Sequence, residues 1–231
     1  MDKIKLQQAK AWTEKELAVC ADFWLRNGMD REHGGVYTCL DRYGRVYSTD
    51  KSVWMQGRCG WIFAYLCHVY GAKKEWLEAS KSCLDFMEKY CINPDANGRM
   101  YFTVTADGKP LRQRRYYFSE AFYAIANAEY YGVTGEKECL ERAKKAYNIY
   151  WDLWHGAKDP TGLGPKTEPQ TRSGRAFGLP MIYLNVTSVM LRVDPENKAL
   201  YEERAQGCVD DIFKYHVHPE LHCVLENVGV N

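Results

Sequence analysis

A chain of 231 residues with 46% hydrophobic content is long enough to bury a large core. Its 31 Lys+Arg stand against 30 Asp+Glu, a formal net charge of +1, which gives no electrostatic reason to expect nucleic acid or an anionic membrane as partner. No run reaches the roughly 18 uncharged apolar residues of a membrane span, and the polar start MDKIKLQQAKAWTEKEL carries no apolar signal segment.

The periodicity predicts a first helix over 6–26, closed by Asn27-Gly28. The run DREHGGVYTCLDRYGRVYSTDK then alternates short extended stretches with turn residues and reads as a β-hairpin arm, with Gly34-Gly35 and Tyr43-Gly44 as its ends. A helix over about 50–70 follows, capped by Asp50 or Ser52. Trp54, Arg58 and Trp61 are spaced four and three apart, so they share one face of it. An arginine on a face lined with tryptophans either snorkels to water or holds an anion or carbonyl. A covering helix is expected over 74–90, and further helices over 117–131, with a break at Gly132, and 136–154. An irregular loop over 155–177 leads to helices over 180–191 and 197–216.

This order contains a repeat. Tyr37 and Tyr101 are 64 residues apart (101 − 37), as are Gly44 and Gly108 (108 − 44). The first helix of each pair (FAYLCHVY, FYAIANAEYY, MIYLNVTSVML) is apolar nearly all round, and in the first two pairs the second (WLEASKSCLDFMEKY, CLERAKKAYNIYW) is amphipathic. A helix apolar all round must be buried, and an amphipathic one covers it. The expected fold is therefore all-α, an α/α toroid of inner and outer helices with β-hairpin arms in the long loops. All of 1–231 belongs to one partial domain of about seven helices, ending where a fourth inner helix should begin.

The nine cysteines (20, 39, 59, 67, 83, 91, 139, 208 and 223) are odd in number and lack CxxC pairs. They read as reduced thiols of a cytoplasmic protein. HVHPELH, with His216, His218 and His222, lacks regular ligand spacing and reads as a solvated loop, with no metal site. His33 is expected to shape the first arm. DPTGLGPKTE is glycine-rich but lacks the G-x-x-x-x-G-K-[ST] pattern of a phosphate-binding loop.

The segments EHGGVYTCLDRYGRVYSTDKSVWMQGR, FSEAFYAIANAEYYGVTGE, PMIYLNV and VLENV together resemble the N-acylglucosamine 2-epimerase family, which includes a protein described as renin-binding. The resemblance spans essentially the whole chain. It implies an (α/α)6 barrel that interconverts N-acetylglucosamine and N-acetylmannosamine by moving one proton at C2. No cofactor is required for that chemistry, ATP or another nucleotide is an effector, and the enzyme is a cytoplasmic homodimer. Arg58, in VWMQGR, matches the family's active-site arginine, and Asn185, in PMIYLNV, matches an asparagine that binds sugar hydroxyls. Trp54 and Gln56 are candidates for a stacking face and an amide beside Arg58; Glu120, in FSEAF, is a further substrate-binding candidate.

The departure is equally specific. The family's acid/base pair is two histidines, one in a Gly-His-x-x-Glu motif after VLEN and one near the C-terminus. Neither motif is among these residues, and the histidines at 33, 68, 155, 216, 218 and 222 do not match them. The chain is therefore expected to lack proton-transfer activity alone. Structural readings compete at each site: Arg58 as an internal ion-pair partner, Asn185 as a helix brace, and Glu120 as a first-turn residue favoured by the helix dipole. Two further functions stay open, an epimerase or isomerase of unmodified sugars such as cellobiose or mannose, and a non-catalytic binder of a renin-type protease. The disaccharide epimerases resemble an asparagine–threonine–histidine stretch where this chain has Asn185-Val186-Thr187, which favours the N-acylated amino sugar.

Overall fold

Residues 2–229, except 165, 166 and 169, are described by a computed structural model. Seven α-helices carry the fold: α1 (Lys3–Asn27), α2 (Val53–Tyr70), α3 (Lys74–Phe86), α4 (Phe118–Thr134), α5 (Lys137–Trp154), α6 (Gly178–Val193) and α7 (Lys198–Asp211). Helices α2, α4 and α6 lie side by side as an inner row, and α3, α5 and α7 back them one to one. The apolar all-round pattern is realised most fully in α4, where 121 and 123–130 are all buried. The main core forms between the two rows, and α1 packs only its end, around Ala21, against α2 and α3.

Some boundaries differ from the expected ones for local reasons. Gly132 does not break α4; the helix ends at Gly135, whose positive φ of 73° lets its N–H return to the Tyr131 carbonyl as a left-handed cap. Helices α3 and α7 each close in one turn of π-helix, Met87–Cys91 and Ile212–His216.

Short antiparallel strands form the arms. β1 (Cys39–Leu40) pairs with β2 (Val46–Ser48), while β3 (Lys51–Ser52), β4 (Thr103–Val104) and β5 (Pro110–Arg112) make one small sheet that joins the first two arms. Their turns place Gly44 and Gly108 at φ of 86° and 88°, the conformation that glycine alone adopts freely. The end of the third loop is extended and paired. β6 (Gly174–Ala176) pairs with β9 (Asn227–Gly229), and between them β7 (Val217–His218) pairs with β8 (Cys223–Val224). VLENV thus feeds a strand.

His216 does not sit in a solvated loop. It is buried, its Nδ1 lies 2.8 Å from the Leu225 carbonyl, and its ring packs edge-on to Phe177. Among the described residues no group of His, Cys, Asp and Glu is placed to hold a metal, and no helix is long and apolar enough to cross a membrane.

The tightest helix contact is between α2 and α4. A Cβ on Gly57 would lie 2.6 Å from the backbone carbonyl carbon of Phe122, closer than any relaxed contact. Gly57→Val should force the two helices apart and lower stability by about 2 kcal/mol or more. Gly229→Ala, where added carbon meets nothing within 4 Å, should be close to neutral. Equal urea midpoints for the two variants would contradict this packing.

Candidate functional site

Five elements converge on one open cavity of about 500 Å³ with mostly apolar walls. Helix α1 contributes Leu17, Ala21 and Trp24, the first arm contributes Val36, Tyr37 and Thr38, and α2 contributes Met55, Arg58, Trp61 and Ile62. Phe122 and Ile125 come from α4 and Asn185 from α6. The 64-residue repeat explains the convergence. Arg58 and Phe122 are 64 apart (122 − 58) and Phe122 and Asn185 are 63 apart (185 − 122), so equivalent positions of three inner helices stand in one layer.

Arg58 is exposed to this cavity, and its guanidinium carbon lies 4.3 Å from the centre of the Phe122 ring. Among the described residues no carboxylate lies within ion-pair range of it. The internal ion pair that would make Arg58 structural is therefore absent among those residues, and a fixed cation faces open space over an aromatic ring. Such stacking costs the guanidinium none of its in-plane N–H donors, which remain available to an oxygen. Asn185 is exposed in the same wall and presents an amide there.

The other sequence candidates lie elsewhere. Trp54 is half-buried among Phe102, Phe118 and Phe122, with ring centroids 5.1 to 6.1 Å away, and is not in the cavity wall. Gln56 is fully buried: its Oε1 accepts from the Val36 N–H at 2.8 Å and its Nε2 donates to the Val36 carbonyl at 2.6 Å. Glu120 is its repeat equivalent, 64 residues on (120 − 56). It accepts from the Met100 N–H at 2.8 Å and from Arg99 Nε at 2.7 Å, fully buried, and burial pushes its carboxyl up against the pull of Arg99. Both side chains clamp an arm to the start of an inner helix, and neither reaches the cavity. Helix geometry explains why: two residues along an α-helix is about 200° around it, so Gln56 points away from Arg58.

Arg99 also binds Asp159 and donates to the Arg114 carbonyl at 3.0 Å, which folds the start of the third loop onto the second arm. Further along, Gly164 accepts from Arg115 Nε at 2.7 Å. Lys166, the lysine of the glycine-rich segment, lies outside the described residues.

The first arm is fixed by a buried ammonium. Lys51 Nζ donates to Asp30 Oδ2 at 2.6 Å, to the Gly34 carbonyl at 2.7 Å and to the Ala106 carbonyl at 3.1 Å. Asp30 accepts in addition from the Glu32 and His33 N–H groups, and His33 Nδ1 stands 3.6 Å away, on the turn of the arm. Burial raises the Asp30 pKa, but the bonds from Lys51 and the two amides outweigh it and hold the carboxyl below its usual range. This carboxylate holds the segment bearing Tyr37, whose hydroxyl is pushed up by burial and by Asp30.

Sequence reasoning missed Phe122, Tyr37 and the α1 residues as parts of the wall. Phe122 was accessible by adding the repeat length to Arg58, whereas the α1 contribution depends on how the chain's first helix docks, which periodicity does not encode.

Known proteins resemble this chain in sequence and in fold. A sequence profile described as N-acylglucosamine 2-epimerase (GlcNAc 2-epimerase) matches residues 35–228. The N-acylglucosamine 2-epimerase of Rattus norvegicus is 34% identical over 227 residues, covering 97% of this chain and 53% of the relative. The cellobiose 2-epimerase of Eubacterium cellulosolvens is 28% identical over 151 residues, covering 64% of this chain and 35% of the relative. Among solved structures, the cellobiose 2-epimerase of Spirochaeta thermophila superposes with a TM-score of 0.76 at 21% identity, over 94% of this chain and 56% of that one. The chain spans about half the length of the curated N-acylglucosamine epimerases it matches.

A depressed carboxyl stabilises the fold above its unfolded pKa, about 3.9, and that contribution is lost as pH falls through the lower folded value. Asp30→Asn leaves the Lys51 ammonium buried and unpaired and should cost about 3 kcal/mol at pH 7. The gap from wild type should be flat above pH ~5 and shrink below pH ~4, where wild type loses the same charge. Urea unfolding at pH 7 and pH 3 measures it; an undiminished gap at pH 3 would sink the assignment.

Proposed function

The chain belongs to the N-acylglucosamine 2-epimerase family, and from that premise we propose that it forms the Arg58 half of a sugar 2-epimerase site acting on N-acetylglucosamine and N-acetylmannosamine. The observation that carries this reading is the Arg58 guanidinium, without an ion-pair partner among the described residues, stacked on Phe122 in an apolar cavity. Epimerisation at C2 needs the open-chain aldose, whose C1 carbonyl makes the C2 proton acidic. When that proton leaves, the electron pair of the C2–H bond moves into a C1–C2 double bond and negative charge gathers on O1. Arg58 is the group suited to hold O1, because a guanidinium keeps its charge and offers two parallel donors. Asn185 holds a hydroxyl or the acyl oxygen beside it. The proton then returns to C2 from the opposite face.

Two groups must carry that proton. Among the described residues the cavity wall contains neither histidine nor carboxylate. This supports the reading that the acid/base pair lies outside these 231 residues and that they are inactive alone. Closure into an (α/α)6 barrel belongs to the same proposal. From the family resemblance come a nucleotide effector, a homodimer, a cytoplasmic location and, as a non-catalytic alternative, a renin-type protease partner.

A second substrate reading, an unmodified sugar such as cellobiose or mannose, is supported by the cellobiose epimerases among the relatives. The N-acyl reading is preferred because the amino-sugar enzymes match 97% of the chain against 64%.

The test is C2 proton exchange in D2O, followed by NMR, for residues 1–231 and for the same residues fused to the remaining half of the rat relative. Deuterium should enter N-acetylmannosamine only with the fusion, and Arg58→Ala in the fusion should reduce kcat/KM by about a hundredfold or more. Exchange by the 231-residue chain alone would refute the missing acid/base pair. A fusion active on cellobiose or mannose but not on N-acetylated sugars would refute the substrate.

A further inference from the structure

The second arm gathers positive charge that no acid among the described residues neutralises. Arg112 closes β5 and Arg114 follows two residues on, so in extended chain both side chains leave on the same side. The residue between them turns away: Gln113 Nε2 donates to the Met100 carbonyl at 2.6 Å, and its Oε1 accepts from Asn93 Nδ2 at 3.3 Å. Both guanidinium carbons stand over one ring, that of Phe102, at 5.7 Å for Arg112 and 3.9 Å for Arg114. Phe102 is fixed by its backbone, its N–H donating to the Arg112 carbonyl at 2.7 Å and its carbonyl accepting from the Val53 N–H at 3.0 Å. Trp54 braces the ring edge-on, with centroids 5.1 Å apart.

Like charges gathered on one ring repel. Among the described residues neither guanidinium has a carboxylate in ion-pair range or a hydrogen-bond acceptor. The acids of the neighbourhood are engaged elsewhere: Asp107 with Lys109, and Glu120 and Asp159 with Arg99. Arg112 is exposed, and no nitrogen of the half-buried Arg114 is enclosed without a partner, so its donors reach solvent. Lying over a ring leaves the in-plane N–H groups of a guanidinium free.

We propose that Arg112 and Arg114 form an anion site that takes a phosphate group, free or carried by a small organic molecule. A guanidinium presents paired donors matched to phosphate oxygens, and a phosphate has oxygens enough for both arginines. The site is separate from the Arg58 cavity. Trp54 stands between them, touching Phe102 on one side and, on the other, the Phe122 ring over which Arg58 lies. The proposal therefore does not depend on what that cavity binds.

Titration of the 231-residue chain with inorganic phosphate and with glucose 6-phosphate, followed by ¹⁵N–¹H NMR, tests this. Saturable shifts are expected at the backbone amides of 102–104 and 111–114, weakening as salt is added. Arg112→Gln and Arg114→Gln should each weaken binding ~10-fold, the order of one charge-assisted hydrogen bond. Unchanged amide positions elsewhere would verify that each variant keeps the fold, and the wild-type titration locates the site without them. Tighter binding of glucose 6-phosphate identifies a phosphate ester as ligand, and equal binding identifies free phosphate; both uphold the site. Shifts that saturate around Arg58 instead and vanish in Arg58→Ala, or no saturable shift with either probe, would overturn it.

Discussion

The close approach of α2 and α4 at Gly57 is the constraint on which the site depends. With only a hydrogen at position 57, the backbone of α2 comes against the backbone of Phe122. That contact sets the height at which the next residue, Arg58, crosses the Phe122 ring. Gly60, one turn along, differs: a Cβ there would meet Ala126 at 3.4 Å, an ordinary contact. Gly57 alone therefore fixes both the spacing of α2 and α4 and the seat of the cation.

The repeat supplies the remaining order. Gln56 holds Val36 and Glu120 holds Met100, each 20 residues upstream (56 − 36 and 120 − 100), so each arm is tied to the first turn of the inner helix that follows it. The difference between the two copies is informative. The residue before Val36 is Gly35, where a Cβ would collide with Gln56 Oε1 at 2.5 Å. The residue before Met100 is Arg99, which turns the same clamp into a charged junction reaching Asp159 in the following loop. One architecture thus serves as a plain latch in one copy and a three-way joint in the next.

Helix order, the inner and outer rows and the first two arms were legible in the sequence, because they rest on apolar periodicity and on glycine turns recurring at a fixed interval. Arg58 and Asn185 were legible as positions that share a cavity. Nearness in sequence to Arg58 does not bring Gln56 to the cavity, because the angle around the helix turns it to Val36, and Glu120, at the start of its own inner helix, holds Met100. Trp54 and Trp61 could not be ranked from sequence: both share the face of Arg58, and only the packing of Phe102 and Phe118 shows which is enclosed. The pairing of β6 with β9 joins segments about fifty residues apart, a separation at which local patterns say nothing.

Lys51 has a consequence for how the molecule opens. Its single ammonium bonds to the turn of the first arm at Gly34 and to the second at Ala106, and β3 pairs with β4 beside it. Neither arm can lift from the helices without breaking a bond to the other, so the two constitute one cooperative unfolding unit. Their amides should share a single opening free energy in native-state hydrogen exchange, although they belong to different copies of the repeat.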